Sequence, residues 1–179
     1  MSDDLNIRER LIELGAVDEL PIYGARQLVH QRIMPEVAFL DQELAHDIST
    51  ELTKLILHHE PTHVVTSSEF AELWTDHLLG NGYLDLPVVK TIVHPELKTR
   101  QIKKSSLFGV IGRAVLFVSI SETNKRFDEV SKLPELVGRV AGGVVIWHRG
   151  MPEERRPLPF PVNAVVYDPI ENRYHGVAT

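Results

Sequence analysis

The run Ser119, Ile120, Ser121, Glu122, Thr123, Asn124, Lys125, Arg126 gathers three hydroxyls, an amide, a carboxylate and two cations in one short stretch. Hydroxyl and amide groups donate hydrogen bonds, and Lys and Arg neutralise negative charge, so the set is suited to an anion such as phosphate. Glu122 works against an anion unless it turns to solvent or holds a metal. The same residues also read as an ordinary helix start, with Ser121 or Thr123 as N-cap and the cations solvated. A second group, Thr66, Ser67 and Ser68, offers three more hydroxyls. A third, Lys98, Arg100, Lys103 and Lys104, could clamp a phosphorylated ligand, touch a nucleic-acid backbone, or face solvent between two strands. Of the nine histidines, His58, His59 and His63 fall near a helix end with Glu60, but no HExxH pair occurs, so no metal site is assigned.

These groups need elements to position them. Ahead of the first group, the apolar run 115–118 reads as a strand buried on both faces, and behind it the pattern turns helical. Strand, polar turn, helix is the layout of a phosphate-binding turn, here without glycine. Ahead of Ser67, "PTHVV" reads as a short strand, and "EFAELWTDHLLGNG" behind it as a helix stopped by Gly80 or Gly82. Leu5, Ile7, Leu11, Ile12 and Leu14 predict an N-terminal helix capped by Ser2 or Asp3 and ended by Gly15. Residues 35–60 give the clearest helix, with Pro35 in its first turn and Val37, Leu40, Leu44, Ile48, Leu52, Leu55 and Ile56 along one stripe. "LPVVKTIVH", "LFGVIGRAVLFVSI" (two strands split near Gly112), "RVAGGVVIWHRG" and "VNAVVYD" read as further strands. A helix broken by Pro134 follows the 119–126 turn. Trp74 and Trp147 read as packing residues, and Arg155 and Arg156, set among prolines, as solvent-facing.

Strands and helices therefore alternate over 61–148. This predicts an α/β fold with a mainly parallel sheet of about five strands flanked by helices. In open α/β sheets the ligand crevice lies at the carboxyl ends of the strands. The three polar groups should meet there.

Composition narrows the classes. The chain has 179 residues, enough for one domain with a sizeable core. Its net charge of −6 argues against general polyanion binding, so nucleic acid is possible but not favoured. The absence of cysteine excludes disulfides and thiolate metal sites and fits a cytoplasmic protein. The acidic, polar start predicts no secretory leader, and no apolar run approaches the ~20 residues of a membrane span.

Over about 35–150 the order of these pieces resembles the type I phosphoribosyltransferases, most closely the orotate and adenine branches. "GRAVLFVSISETNKRFDEV" is similar to their signature loop, "THVVTSSEFAELWTDHLL" to their first core strand, pyrophosphate loop and helix, and "LPVVKTIVHPELKTRQIKK" to the next strand and the flexible basic loop that closes over substrate. "GRVAGGVVIWHRG" is similar to the strand after the family's next helix. The resemblance implies a single domain over 1–179, with a small hood from 1–34 and 151–179, and a cytoplasmic homodimer. It implies ribose and phosphate binding at Ser119, Ser121, Glu122, Thr123, Asn124, Lys125 and Arg126, and a pyrophosphate loop at Thr66, Ser67 and Ser68. It implies a mobile basic loop at Lys98, Arg100, Lys103 and Lys104, and Mg²⁺ if the protein is active.

The pattern also departs from that family. Two acids that would hold the ribose hydroxyls are here Ser119 and Ile120, and the glycines that would close on a phosphate are Lys125 and Arg126. The expectation is a catalytically weak or inactive relative that binds a nucleotide or other phosphorylated small molecule. An active, orotate-like transferase with an atypical site, and a non-enzymatic regulatory, RNA-binding or protein-interaction module, stand beside it.

Overall fold

The computed structural model describes residues 2–21, 29–93, 99–103, 112–149 and 155–168. The element order is α1 (Ser2–Glu13), β1 (Val17–Pro21), β2 (Val29–Ile33), a 3-10 segment (Pro35–Leu40), α2 (Gln42–His58), β3 (His63–Thr66), α3 (Glu69–Gly80), β4 (Val88–Val93), β5 (Arg100–Ile102), β6 (Ala114–Ser121), α4 (Lys125–Ser131), β7 (Val140–Arg149) and β8 (Val162–Asp168). Six strands form one sheet in the order β5-β4-β3-β6-β7-β8. All neighbours are parallel except β4 and β5. β1 and β2 form a separate antiparallel pair. The expected α/β architecture is present, with one strand more than expected.

Two apolar layers hold the sheet. One joins α1, α2 and α3 to the sheet through Ile7, Leu11, Leu44, Ile48, Leu52, Trp74, Val115, Phe117 and Ile146. The other packs Phe127 and Val130 of α4 against Val65, Leu116, Val118 and Val145. β6 serves both layers, which is why its sequence is apolar at successive positions. Trp74 and Trp147 are fully buried, as packing residues should be.

Several boundaries differ from the sequence reading. The helix expected from Pro35 begins at Gln42. Pro35–Leu40 is a 3-10 turn, and Asp41 restarts the chain as an N-cap, accepting from the amides of Glu43 and Leu44 at 3.0 Å each. Leu40, assigned to the apolar stripe, is 82% exposed as a result. Arg100 to Ile102 form an edge strand where a basic loop was expected, because Ile102 is buried and anchors it to the second layer. Gly15, at φ 81°, ends the first helix as expected, and the Ala16 amide donates to the Leu11 carbonyl at 2.8 Å. The helix expected after the 119–126 turn is a single short one, α4, and the first strand of the 107–121 stretch lies outside the described residues.

The start of β7 is shaped around a histidine. A Cβ on Gly142 would lie 2.3 Å from the His59 ring, whose Nε2 meets Asn163 Oδ1 at 3.0 Å. Gly142→Ala is therefore expected to lose about 1–3 kcal/mol, because either the ring or the strand must move. Urea denaturation would show it as a lower midpoint at unchanged slope. A midpoint equal to that of the parent would mean that His59 yields freely.

Candidate functional site

The sheet order places β3 beside β6, although β4 follows β3 in the chain. From β3 the chain crosses one way to β4, and from β6 the other way to β7. The crevice between these crossovers lies beyond the carboxyl ends of β3 and β6, at the topological switch point. The segments that follow these two strands are 67–68 and 122–124.

The second group, Thr66, Ser67 and Ser68, lines up along the end of β3. Thr66 is its last residue, fully buried, and Ser67 is 2% exposed. Their hydroxyls have no partner among the described groups. Ser68 caps α3, its Oγ accepting from the Ala71 amide at 3.1 Å.

The first group, from Ser119 to Arg126, closes β6. Ser119 is buried, and its Oγ donates to Glu36 Oε1 at 2.5 Å. Ile120 packs against the first apolar layer. Ser121 ends the strand, and the turn 122–124 leads into α4. The helix cap is Asn124, not Ser121 or Thr123. Asn124 takes a left-handed φ of 59°, which Asn tolerates better than most residues, and its side chain makes no capping bond. That side chain is engaged elsewhere: its Oδ1 meets His148 Nε2 at 2.9 Å and its amide nitrogen donates to the Arg156 carbonyl at 3.4 Å. α4 has seven residues and ends ahead of Pro134, so its N-terminus offers only a short dipole.

Around the turn lies a cavity of about 230 Å³ lined by Ile120, Ser121, Glu122, Thr123, Lys125, Arg126 and Glu129. Lys125 pairs loosely with Glu129 at 3.8 Å. Glu122 is ion-paired with Arg149. Asp128 faces the other way. Lys132 at 2.8 Å and Arg156 at 3.3 Å hold its carboxyl below the usual aspartate range.

The third group contributes one residue with a defined role. Arg100 donates to the Ser67 carbonyl at 2.9 Å and to Thr91 Oγ1 at 3.0 Å. Arg126 donates to the same Ser67 carbonyl at 3.3 Å. One residue from each of the three groups thus meets at Ser67. Lys103 is exposed, and its amide pairs with the Lys90 carbonyl. Lys98 and Lys104 lie outside the described residues.

Sequence reasoning did not single out Glu36, His148 or Arg149. His148 is 1% exposed and stacks on Tyr167 at 5.7 Å between ring centroids. Burial, with Arg155 nearby, lowers its pKa to about 4. Arg155, expected in solvent, lies 5.6 Å from the centroid of the Tyr167 ring. Arg156 is exposed but engaged by Asp128, and its amide donates to the Thr123 carbonyl at 2.9 Å.

No family model and no curated protein matches the chain. Solved structures do. The chain is similar to adenine phosphoribosyltransferase from Rhodothermus marinus at 16% identity and a TM-score of 0.67, over 91% of this chain and 99% of that one. It is similar to orotate phosphoribosyltransferase from Mycobacterium tuberculosis at 16% identity and a TM-score of 0.62, over 92% and 96%. For the orotate enzyme from Aeropyrum pernix the values are 14%, 0.62, 90% and 93%. The chain has the type I phosphoribosyltransferase fold. No helix among the described residues is long and apolar enough to cross a membrane.

Proposed function

We propose that this protein is phosphoribosyltransferase-like, catalytically weak or inactive, and binds a nucleotide or another phosphorylated small molecule at the 121–126 turn. The observation that carries this reading is the cavity at the switch point, which is walled by Ser121, Thr123, Lys125 and Arg126. Two hydroxyl donors and two cations at one strand end favour an anion. The reading takes Thr66, Ser67 and Ser68 as the second wall of the same crevice and Arg100 as its edge. It includes a hood from the chain termini and a cytoplasmic homodimer. Phe70 and Leu73, 47% and 48% exposed on α3, give a second copy an apolar contact.

The donor set does not fit a resident Mg²⁺. Glu122 is the one carboxylate of the 119–126 run, and Arg149 neutralises it. Asp128 is held by Lys132 and Arg156. Among the described residues no three His, Asp or Glu side chains converge. No step is assigned to a metal ion.

The test is the double substitution Lys125→Ala with Arg126→Ala, titrated calorimetrically with ribose 5-phosphate and nucleoside monophosphates. Hydrogen bonds to charged groups contribute about 1.5–3 kcal/mol, so the affinity should fall by about tenfold or more. A double variant that binds as well as the parent would place the anion elsewhere.

A further inference from the structure

A second cavity lies at the far end of α3. Ser68 caps that helix at the crevice and Asn81 caps its other end, about 20 Å away along the axis. The cavity opens there, between α3 and the start of α2, with a volume of about 650 Å³. Sites for small molecules span about 300–1,000 Å³. The cavity at the 121–126 turn belongs to β6 and α4, and the described linings of the two share no residue.

Phe39, His46, His77 and Tyr83 line this second cavity. Their rings form a chain of contacts. Phe39 and His77 lie 5.0 Å apart between centroids, His77 and Tyr83 6.2 Å, and Tyr83 and His46 5.7 Å. The His77 and Tyr83 planes are within 22° of parallel. Hydrogen bonds hold these rings in place. His46 Nδ1 meets Tyr83 Oη at 2.6 Å. The Asn81 amide nitrogen donates to the His77 carbonyl at 2.9 Å and meets His77 Nδ1 at 3.2 Å. Phe39 rests on the buried Trp74, 4.4 Å away. Phe39, His77 and Tyr83 are only half-buried, so ring surface stays open to the cavity. Rings fixed before a ligand arrives take up another flat ring at a low cost in entropy.

The charge here is unlike that of the turn. Among the described residues that line the cavity there is no Lys or Arg. Glu43, the carboxylate on its wall, has the Arg10 guanidinium at 3.6 Å. Burial lowers the His77 pKa below the ordinary histidine value, so its ring is neutral at pH 7. An anion finds no counter-charge in this cavity, and a cation finds a carboxylate that is already paired. Gln42 adds an amide, which can donate and accept.

We propose that this cavity is a binding site for a neutral, flat aromatic or heteroaromatic molecule, stacked on the rings of His77 and Tyr83 with Phe39 as its apolar wall. Gln42 and Asn81 take up polar atoms at the edge of that molecule. The site is separate from the 121–126 turn and does not rest on the reading of it.

The test titrates the full chain with indole, by calorimetry and by NMR of the histidine and tyrosine rings. Indole should bind with a dissociation constant of about 1 mM or below, the range open to a ligand of about ten heavy atoms, and should shift the His77 and Tyr83 signals. Tyr83→Leu should weaken it about fivefold, the size of one lost aromatic pair, while Lys125→Ala with Arg126→Ala should leave it unchanged. Cyclohexanol, benzoate and benzyltrimethylammonium are of similar size but puckered, anionic and cationic in turn. Each should bind at least about fivefold more weakly than indole. Failure of indole to bind, equal or tighter binding of any of the three, or undiminished affinity in Tyr83→Leu would overturn the site. So would an indole affinity that falls as the protein concentration rises, because a second copy would then be covering the cavity. Should Tyr83→Leu fail to fold, His46→Leu, at an exposed position, decides by the same comparison.

Discussion

Turnover of phosphoribosyl pyrophosphate by this chain is expected to be absent, or about 10²–10⁴-fold below that of a site with both ribose-holding acids, since each lost hydrogen bond to a charged acceptor costs about 1.5–3 kcal/mol. The resemblance sets those acids at Ser119 and Ile120. Ser119 is buried and committed to Glu36, and Ile120 packs into the first apolar layer, so neither offers a charge to the crevice. Glu122 is the nearest carboxylate in sequence, but Arg149 holds it. Glu36 comes from another element, and burial moves its carboxyl toward the neutral form, which suits a hydrogen bond better than stabilising a cationic ribose. Release of pyrophosphate, followed with Mg²⁺ and each common purine and pyrimidine base, measures this. A robust rate with any base would establish the active, atypical transferase instead. No turnover and no ligand binding, with a salt-dependent RNA shift or a stable protein partner, would favour the non-enzymatic module.

What the sequence disclosed was local, and what it withheld was long-range. The buried β6 and the stripe of α2 are runs whose apolar period survives any tertiary context, and both were legible. The 3-10 turn ahead of α2 was not. Pro35 looked like a helix start, and Val37 and Leu40 continued the stripe, while the restart at Asp41 depends on a cap that binds Arg10 of α1 as well. The edge strand β5 was missed because three residues among charges give too short a pattern, although Ile102 is a buried anchor. At the site, strand, turn and helix marked the right place. Two partners of the turn could not be marked: Glu36 arrives from a distant element, and His148 looked like one histidine among nine, whereas Arg100 belonged to the basic group expected at the crevice. Asn124 carried a weak local signal, since Asn is one of the few residues that settle at positive φ.

His148 leads to the second large effect. Its folded pKa of about 4 lies below the ordinary histidine value of 6.5, first because of burial and then because of Arg155. Above pH 6.5 the ring is neutral in both folded and unfolded chains, so it contributes no pH dependence there. As the pH falls from 6.5 toward 4, the unfolded chain takes up a proton that the folded chain refuses, and stability is lost. The full span corresponds to about 3 kcal/mol at 1.36 kcal/mol per pH unit. His59 and His77, both lowered by burial, act with the same sign. The contribution of His148 is therefore read as the difference between parent and His148→Gln in denaturant titrations at pH 7.5 and pH 4.5. The variant should lose about 2.5 kcal/mol less than the parent over that interval, which stops short of the full span, whatever its stability at neutral pH. Equal losses would show that His148 gains its proton without cost in the folded chain. The same ring fixes the turn, because its Nε2 meets Asn124 at the left-handed position that starts α4. The region that loses stability in acid is thus the one that shapes the cavity, and hydrogen exchange at Thr123 and Asn124 should rise before exchange within β6 as the pH is lowered.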